Sequence, residues 1–416
     1  MIRRYKEIFF ALLLGLVMWV ADVEMCVLMI AQSSARVPFL KSDLLTASPG
    51  SEAAVRLMKT PNGGIQPQAV IDERGRLHLV YLVGEPFAGD IYYVRREAGE
   101  ETFSTAVRVN SQSGSAIAFG TMRGAHIAVG KNGRVHVAWN GSITAEPRGP
   151  KNSDPMLYAR MNDAGDAFEA QRNLMQFSSG LDGGGSIAVD KAGNVYVVWH
   201  GDSEKKGEQH RRVWLARSTD GGKTFAREAS VFNEETGASS SCGMRAFVDR
   251  EGAVYLLYRT ATNLTNRGMF LLVSTYRGRS FRGLRVDEWN LAACPMSTAA
   301  MTTARNDPKT VLAAWENDRQ VYFAALDPKA LRKSIPIAAP GETGRRRHAV
   351  IATNTRGETI LVWIEVKGWK KDGAVAWQVF DRNGKPTAEK GITPGAPVWG
   401  LGAVVAEADG RFTIFY

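Results

Sequence analysis

Two glutamates, Glu316 and Glu365, stand just past apolar runs that carry Trp315 and Trp363 near their ends. Glycoside hydrolysis generally needs two carboxyl groups about 5 to 10 Å apart across the scissile bond. Equivalent places in consecutive repeats could supply such a pair. The plain alternative is surface solvation, or an ion pair with Arg319 or Lys367. A second set is basic. His126, Arg245 and His348 each open an apolar run, with Gln68 and Ser186 at the same place in two others. Arg123 and the run Arg345-Arg346-Arg347 lie just ahead of two of these positions. Gathered around one axis, they would make a basic ring suited to a carboxylate, sulfate or phosphate. Strand starts beside a wet channel are also polar without any ligand. His200 and Arg259, with Asn140 and Asp202, stand past the runs as the glutamates do and join the candidates.

Cysteine is scarce, with three in 416 residues. Cys242-Gly243-Met244 and Cys294-Pro295-Met296 share a Cys-x-Met pattern. In an oxidising compartment a disulfide joining them is the expectation, and a soft-metal site of thiolate and thioether the alternative. The sequence contains no zinc-type cluster, catalytic-triad motif or phosphate-binding glycine loop, so no cofactor is expected.

These residues hang on a repeat. A short apolar strand, a polar turn usually with glycine, and an alternating strand ending in Trp or Tyr recur seven times. The copies end at Tyr81, Trp139, Trp199, Tyr258, Trp315, Trp363 and Tyr416. Each is a hairpin whose turn demands positive φ. A third strand is expected after each of the first six, for example over 90–96, 156–161 and 212–218, and a shorter fourth follows, as at 106–109. Four antiparallel strands repeating every 50 to 60 residues or so signal a β-propeller. Seven four-stranded blades are favoured and six remain possible. The last copy ends the chain, so a strand from the N-terminal side, with 53–58 the best candidate, must close the ring.

The link after one third strand reads Ser218-Thr219-Asp220-Gly221-Gly222-Lys223-Thr224-Phe225. It resembles the Asp-box of sialidases and other BNR-repeat propellers. Weaker copies run 161–168, keeping Asp163, Gly165 and Phe168, and 274–281, keeping Gly278 with Tyr276 in place of the aspartate. The resemblance implies a sialidase-like propeller over about residues 53–416. It also implies a structural role for Ser218, Asp220, Gly222, Thr224 and Phe225, on the face away from the family's active site. A sialidase would further carry an Arg-Ile-Pro-like start, a three-arginine clamp, a Tyr–Glu pair and an acid aspartate. Arg36-Val37-Pro38 matches the first in letters, and no residue is assigned as the tyrosine or the acid.

Apolar residues make up 44% and charged residues 23%, which excludes a wholly disordered chain, and 42 glycines fit many tight turns. The 52 basic against 42 acidic residues leave a net charge of +10 and favour anionic partners. The excess is spread thinly, so no nucleic-acid role is expected. Arg3, Arg4 and Lys6 precede an uncharged run over 8–21, with small residues near Ala35. Residues 1–35 therefore read as a signal peptide or an uncleaved signal anchor, and 36–52 as a linker. An exported, periplasmic or secreted monomer is expected, touching a membrane only through that segment if it is retained. Three functions remain open: a propeller recognising an anionic glycan or similar anion through a basic axial funnel, an active glycoside hydrolase, or a cell-envelope scaffold.

Overall fold

In six of the seven repeats a side chain of the turn itself holds it. In the first, Asp72 Oδ1 accepts the amides of Arg74 and Arg76 at 2.9 Å, and Gly75 takes a φ of 79° that glycine adopts freely. The second strand then returns a polar side chain to that aspartate, with His78 Nε2 3.2 Å from Asp72 Oδ2. Two copies use tyrosine instead: Tyr196 donates to Asp190 at 3.0 Å and Tyr255 to Asp249 at 2.7 Å. Where Gly130 replaces the aspartate, His136 meets Tyr158 Oη at 2.7 Å.

The protein was studied as a computed structural model, which describes residues 54–120, 124–305, 307–342, 344–368 and 370–416. The segments 1–35 and 36–52, Arg36-Val37-Pro38 and Arg123 lie outside the described residues. No helix among the described residues is long and apolar enough to cross a membrane.

Seven hairpins found seven sheets. Blade 1 holds Ile65–Ile71, Leu77–Glu85, Ala88–Arg96 and Val107–Arg108, each strand hydrogen-bonded to the next. Blade 2 repeats this with His126–Val129, Val135–Asn140, Met156–Arg160 and Arg172–Asn173. Blade 3 has Ser186–Val189, Val195–Gly201, Arg212–Ser218 and Ala229–Ser230. Blade 4 has Arg245–Val248, Val254–Arg259, Met269–Ser274 and Arg282–Arg285. In blade 5, Ala300–Thr303, Val311–Asn317 and Gln320–Asp327 meet a fourth strand broken into Arg332–Lys333 and Ile337–Ala338. Blade 6 has Arg346–Thr353, Thr359–Val366, Gly373–Phe380 and Pro386–Ala396. The innermost strands touch in sequence around the ring, and Ile65–Ile71 meets Ala403–Ala406 to close it.

Blade 7 departs from the four-stranded expectation. Among the described residues it has three strands: Ala403–Ala406, Phe412–Phe415 and the N-terminal Val55–Met58. The last of these pairs in parallel, Val55 opposite Phe412 and Met58 opposite Phe415. Chain direction requires it. Val55–Met58 leads through residues 59–64 straight into the first strand of blade 1, which begins on the face where second strands end. It must run toward that face, as Phe412–Phe415 does.

The core lies in wedges between neighbouring blades. Val80, Leu82, Ile91 and Tyr93 of blade 1, for example, pack with Val135, Val137 and Trp139 of blade 2. The tryptophans near the ends of second strands, Trp139, Trp199 and Trp315, are at most 1% exposed.

The Ser218–Phe225 turn acts as a rivet. Ser218 Oγ donates to Asp220 at 2.7 Å and accepts the Gly222 amide at 2.9 Å. Asp220 accepts the Thr224 amide at 3.0 Å and its hydroxyl at 2.6 Å. Partial burial opposes ionisation, but these bonds hold the Asp220 carboxyl down to about 2. Phe225 then packs edge-on against Tyr158 of blade 2, centroids 4.8 Å apart. The weaker copies keep parts of this. Asp163 pairs with Arg134 while Asn162 accepts the Gly165 amide at 2.8 Å, and Phe168 packs on Tyr93. Ser274 Oγ still accepts the Gly278 amide at 3.0 Å.

Candidate functional site

First strands from all seven blades line an axial cavity of about 330 Å³. Toward the far ends of the first strands its wall mixes apolar residues, among them Ile71, Val129, Val189, Val248 and Val404, with Thr302, Thr303, Thr353 and Arg305. Gln66, Gln68, His126, Arg245, Thr298 and His348 give it a polar end. Cross-strand register bears out the alignment of four repeats, Gln68 facing Val80, His126 Ala138, Ser186 Val198 and Arg245 Leu257, but corrects the fifth: in blade 6 the equivalent residue is Val350, facing Val362, and His348 lies two residues earlier. Two of these positions are not strand starts. Ile65–Ile71 and Arg346–Thr353 begin earlier and carry bulges, and His348 occupies its bulge at φ 57°.

Arg245 is the centre of this group. Its Nη1 donates across the axis to Gln68 Oε1 at 3.1 Å and to His126 Nδ1 at 3.4 Å. Nε is buried without a partner. Burial brings its pKa from 12.5 to about 10, so the side chain stays charged at neutral pH. Ser186 Oγ lies 2.9 Å from the same His126 nitrogen and accepts the Ala246 amide at 3.0 Å. His126 Nδ1 is therefore an acceptor and the ring is neutral. Burial, then Arg245, pushes its pKa down to about 3. His348, 3.4 Å from Thr298 Oγ1, is held to about 3 by burial and then Arg347. Of the expected basic ring, the two histidines are thus held neutral and Arg245 keeps its charge, while Arg305 lines the cavity at its other end.

The remaining candidates lie off the axis. Arg259 is 3% exposed and clamps blade 4 to blade 5, donating to Arg267 O at 2.6 Å, Glu316 O at 2.7 Å and Ser297 Oγ at 2.9 Å. His200 donates from Nε2 to Cys242 O at 3.2 Å, while burial and then Arg211 take its pKa to about 4. Glu316 is wholly buried and neither carboxylate oxygen accepts a hydrogen bond. The Arg347 Nε stands 3.8 Å away. Burial pushes Glu316 up to about 7, against the pull of Arg347 and Arg259. Glu365 belongs to a different pair, accepting from Arg346 Nε at 3.2 Å and Trp363 Nε1 at 2.7 Å. Their partners are these arginines, in place of the expected Arg319 and Lys367; Lys367 pairs with Asp372. Neither glutamate lines the axial cavity.

Cys242 and Cys294 meet as their loops suggested, yet both are free thiols with sulfurs 3.9 Å apart. The Cys294 thiol points to Ser240 O at 2.6 Å. The two sulfurs titrate together: burial resists charge on both, while the Cys294 thiol and Arg259 pull Cys242 down and Cys294 is pushed up. No group of three or more His, Cys, Asp or Glu among the described residues could hold a metal ion.

Sequence reasoning missed Gln66. It takes φ 53° and its Nε2 donates to Ala118 O at 2.6 Å and Trp399 O at 3.0 Å, tying together three segments of the rim. Nothing in its residue type announces this; a bulge at a strand start is a tertiary feature. The aromatic trio Phe87, Phe119 and Trp399 was missed too, although each falls in a loop on the face where second strands end.

No family model matches the chain, and no curated protein matches it. Solved structures do share its fold. A protein of unknown function from Dyadobacter fermentans superposes with a TM-score of 0.50 at 13% identity, covering 73% of this chain and 90% of that one. NanB with Optactamide gives 0.51 at 9% identity, over 74% of this chain and 66% of that one. A Hadza microbial sialidase gives 0.48 at 11% identity, over 80% and 74%. At such identities the likeness is one of fold: a sialidase-like propeller.

Proposed function

We propose that this chain is an exported sialidase-like propeller that binds an anionic glycan through its axial cavity. Arg245 carries the reading. It is a charged group at the centre of the molecule, with Nε unpartnered and only the neutral Gln68 and His126 on Nη1. A buried charge without a counter-ion is costly, and an entering carboxylate, sulfate or phosphate would offset that cost. Gln68 and Thr298 add neutral groups that suit sugar hydroxyls. The proposal includes Asp-box turns of the BNR type as the scaffold's rivets and residues 1–35 as the export signal.

The test is calorimetric titration of the full chain with N-acetylneuraminic acid and glucuronic acid. A charged hydrogen bond contributes about 1.5 to 3 kcal/mol, so Arg245→Gln should weaken binding at least tenfold. Equal affinity in the variant would remove the axial cavity from the proposal. Release of product from chromogenic sialosides would replace binding with catalysis.

A further inference from the structure

We infer that Cys242 and Cys294 form a dithiolate site for a single soft monovalent metal ion of the copper(I) type. Neither cysteine lines the axial cavity, and the site does not depend on the anion reading. Cys242 lies in the segment entering blade 4 and Cys294 in the segment entering blade 5. Both are free thiols, the first buried and the second partly exposed, so an ion can enter from the Cys294 side.

The geometry suits an ion shared by two sulfurs, which stand 3.9 Å apart. A metal–thiolate bond is about 2.3 Å for zinc, so two sulfurs on one ion stand at most about 4.6 Å apart. A disulfide needs them at about 2.05 Å, a larger movement of two loops than seating an ion. Ions that require four ligands find too few: no group of three or more His, Cys, Asp or Glu among the described residues could hold one. Thiolates select copper(I), which two ligands satisfy.

The surroundings are built for negative charge on sulfur. Ser239 Oγ is 3.5 Å from Cys242 Sγ and 4.0 Å from Cys294 Sγ. It accepts from Arg267 Nη1 at 3.1 Å, which leaves its own proton for a sulfur. The backbone amides of Ser297 and Met296 donate to Cys242 and Cys294 respectively. Arg259 is the nearby cation. It is 3% exposed, its Nε has no partner, and its other bonds end on the neutral acceptors Arg267 O, Ser297 Oγ and Glu316 O. Binding releases one proton from each thiol. Two thiolates and one monovalent cation then carry a single negative charge, which compensates the buried guanidinium.

The experiment uses the full chain carrying Cys26→Ser, in which Cys242 and Cys294 are the remaining cysteines. The reduced protein is titrated with copper(I) held by bicinchoninate. One equivalent of copper should pass to the protein, and both thiols should then stop reacting with Ellman's reagent. Zinc under the same conditions should leave them reactive. Cys294→Ser in that chain should bind copper more than about a hundredfold more weakly, beyond the roughly 10- to 100-fold cost of disturbing groups outside the ligand shell. Its urea midpoint shows whether it is folded. Copper that stays with bicinchoninate, thiols that stay reactive with copper bound, or a folded Cys294→Ser that binds as its parent does would each overturn the site. Thiol protection is read on the parent chain and decides the question even where the variant does not fold.

Discussion

Glu316 is a carboxyl group held where water and hydrogen-bond donors do not reach it. Burial raises its pKa from 4.5 to about 7, so between those values the folded protein binds a proton that the unfolded chain releases. Its contribution is fully present below about pH 4.5 and is lost as pH rises through about 7. The shift corresponds to about 3 kcal/mol, an upper figure because Arg347 remains 31% exposed and solvated when the partnership fails. Glu316→Gln should therefore be the more stable protein at pH 8 and lose that advantage at pH 5, read from urea unfolding at both. An equal difference at the two pH values would mean that the carboxyl does not titrate in this range. Glu365, in contrast, accepts hydrogen bonds from Arg346 and Trp363. Both glutamates were visible as candidates in the sequence. Their division between adjacent arginines was not, because Arg346–Thr353 carries a bulge that no repeat alignment reveals.

At the level of strands and loops, the segments entering blades 4 and 5 meet at two thiols 3.9 Å apart. Oxidation by oxidised glutathione would join Cys242 and Cys294, releasing two molecules of reduced glutathione. Closing a loop of about 50 residues contributes about 4 kcal/mol in the chain-entropy account, so the oxidised protein should melt several degrees higher. Cys294→Ser should abolish that response, and an unchanged melting temperature in the oxidised wild type would count against the cross-link. The hairpins were legible at this level because each side chain serves its own turn, as Asp72 and Tyr196 do. The Asp-box copies were only half legible. Asp163 keeps its place in the motif, but Met161 and Ala167 stand where serine and threonine would bind it, and it turns to Arg134 instead. Gln66 and the aromatic trio were illegible for the opposite reason: their partners lie on other blades, and no local pattern marks them.

The whole ring depends on one short strand. Val55–Met58 covers Phe412 and Ile414, both fully buried, and ties its ends through Ala54 O to the Phe412 amide and Met58 O to the Tyr416 amide. Closure by a strand from the N-terminal side was an expectation of the repeat pattern, and Val55–Met58 supplies it by pairing with Phe412–Phe415. Its parallel direction emerges only when the short link to blade 1 is traced in space. Removing it would uncover two aromatic or branched side chains and leave a bare sheet edge open to intermolecular pairing. Burial of Val55 and Leu57 contributes about 1.5 to 3 kcal/mol each, and the lost pairing adds to it. A chain starting at Pro61 should therefore melt several degrees below one starting at Ala53, or aggregate before it melts. Arg56→Ala is the control, since its bridge to Glu101 is exposed to solvent and screened. If the two truncations melt together, blade 7 is stable as a two-stranded hairpin. The ring would then be held by the wedges of its core and not by the union of its two ends.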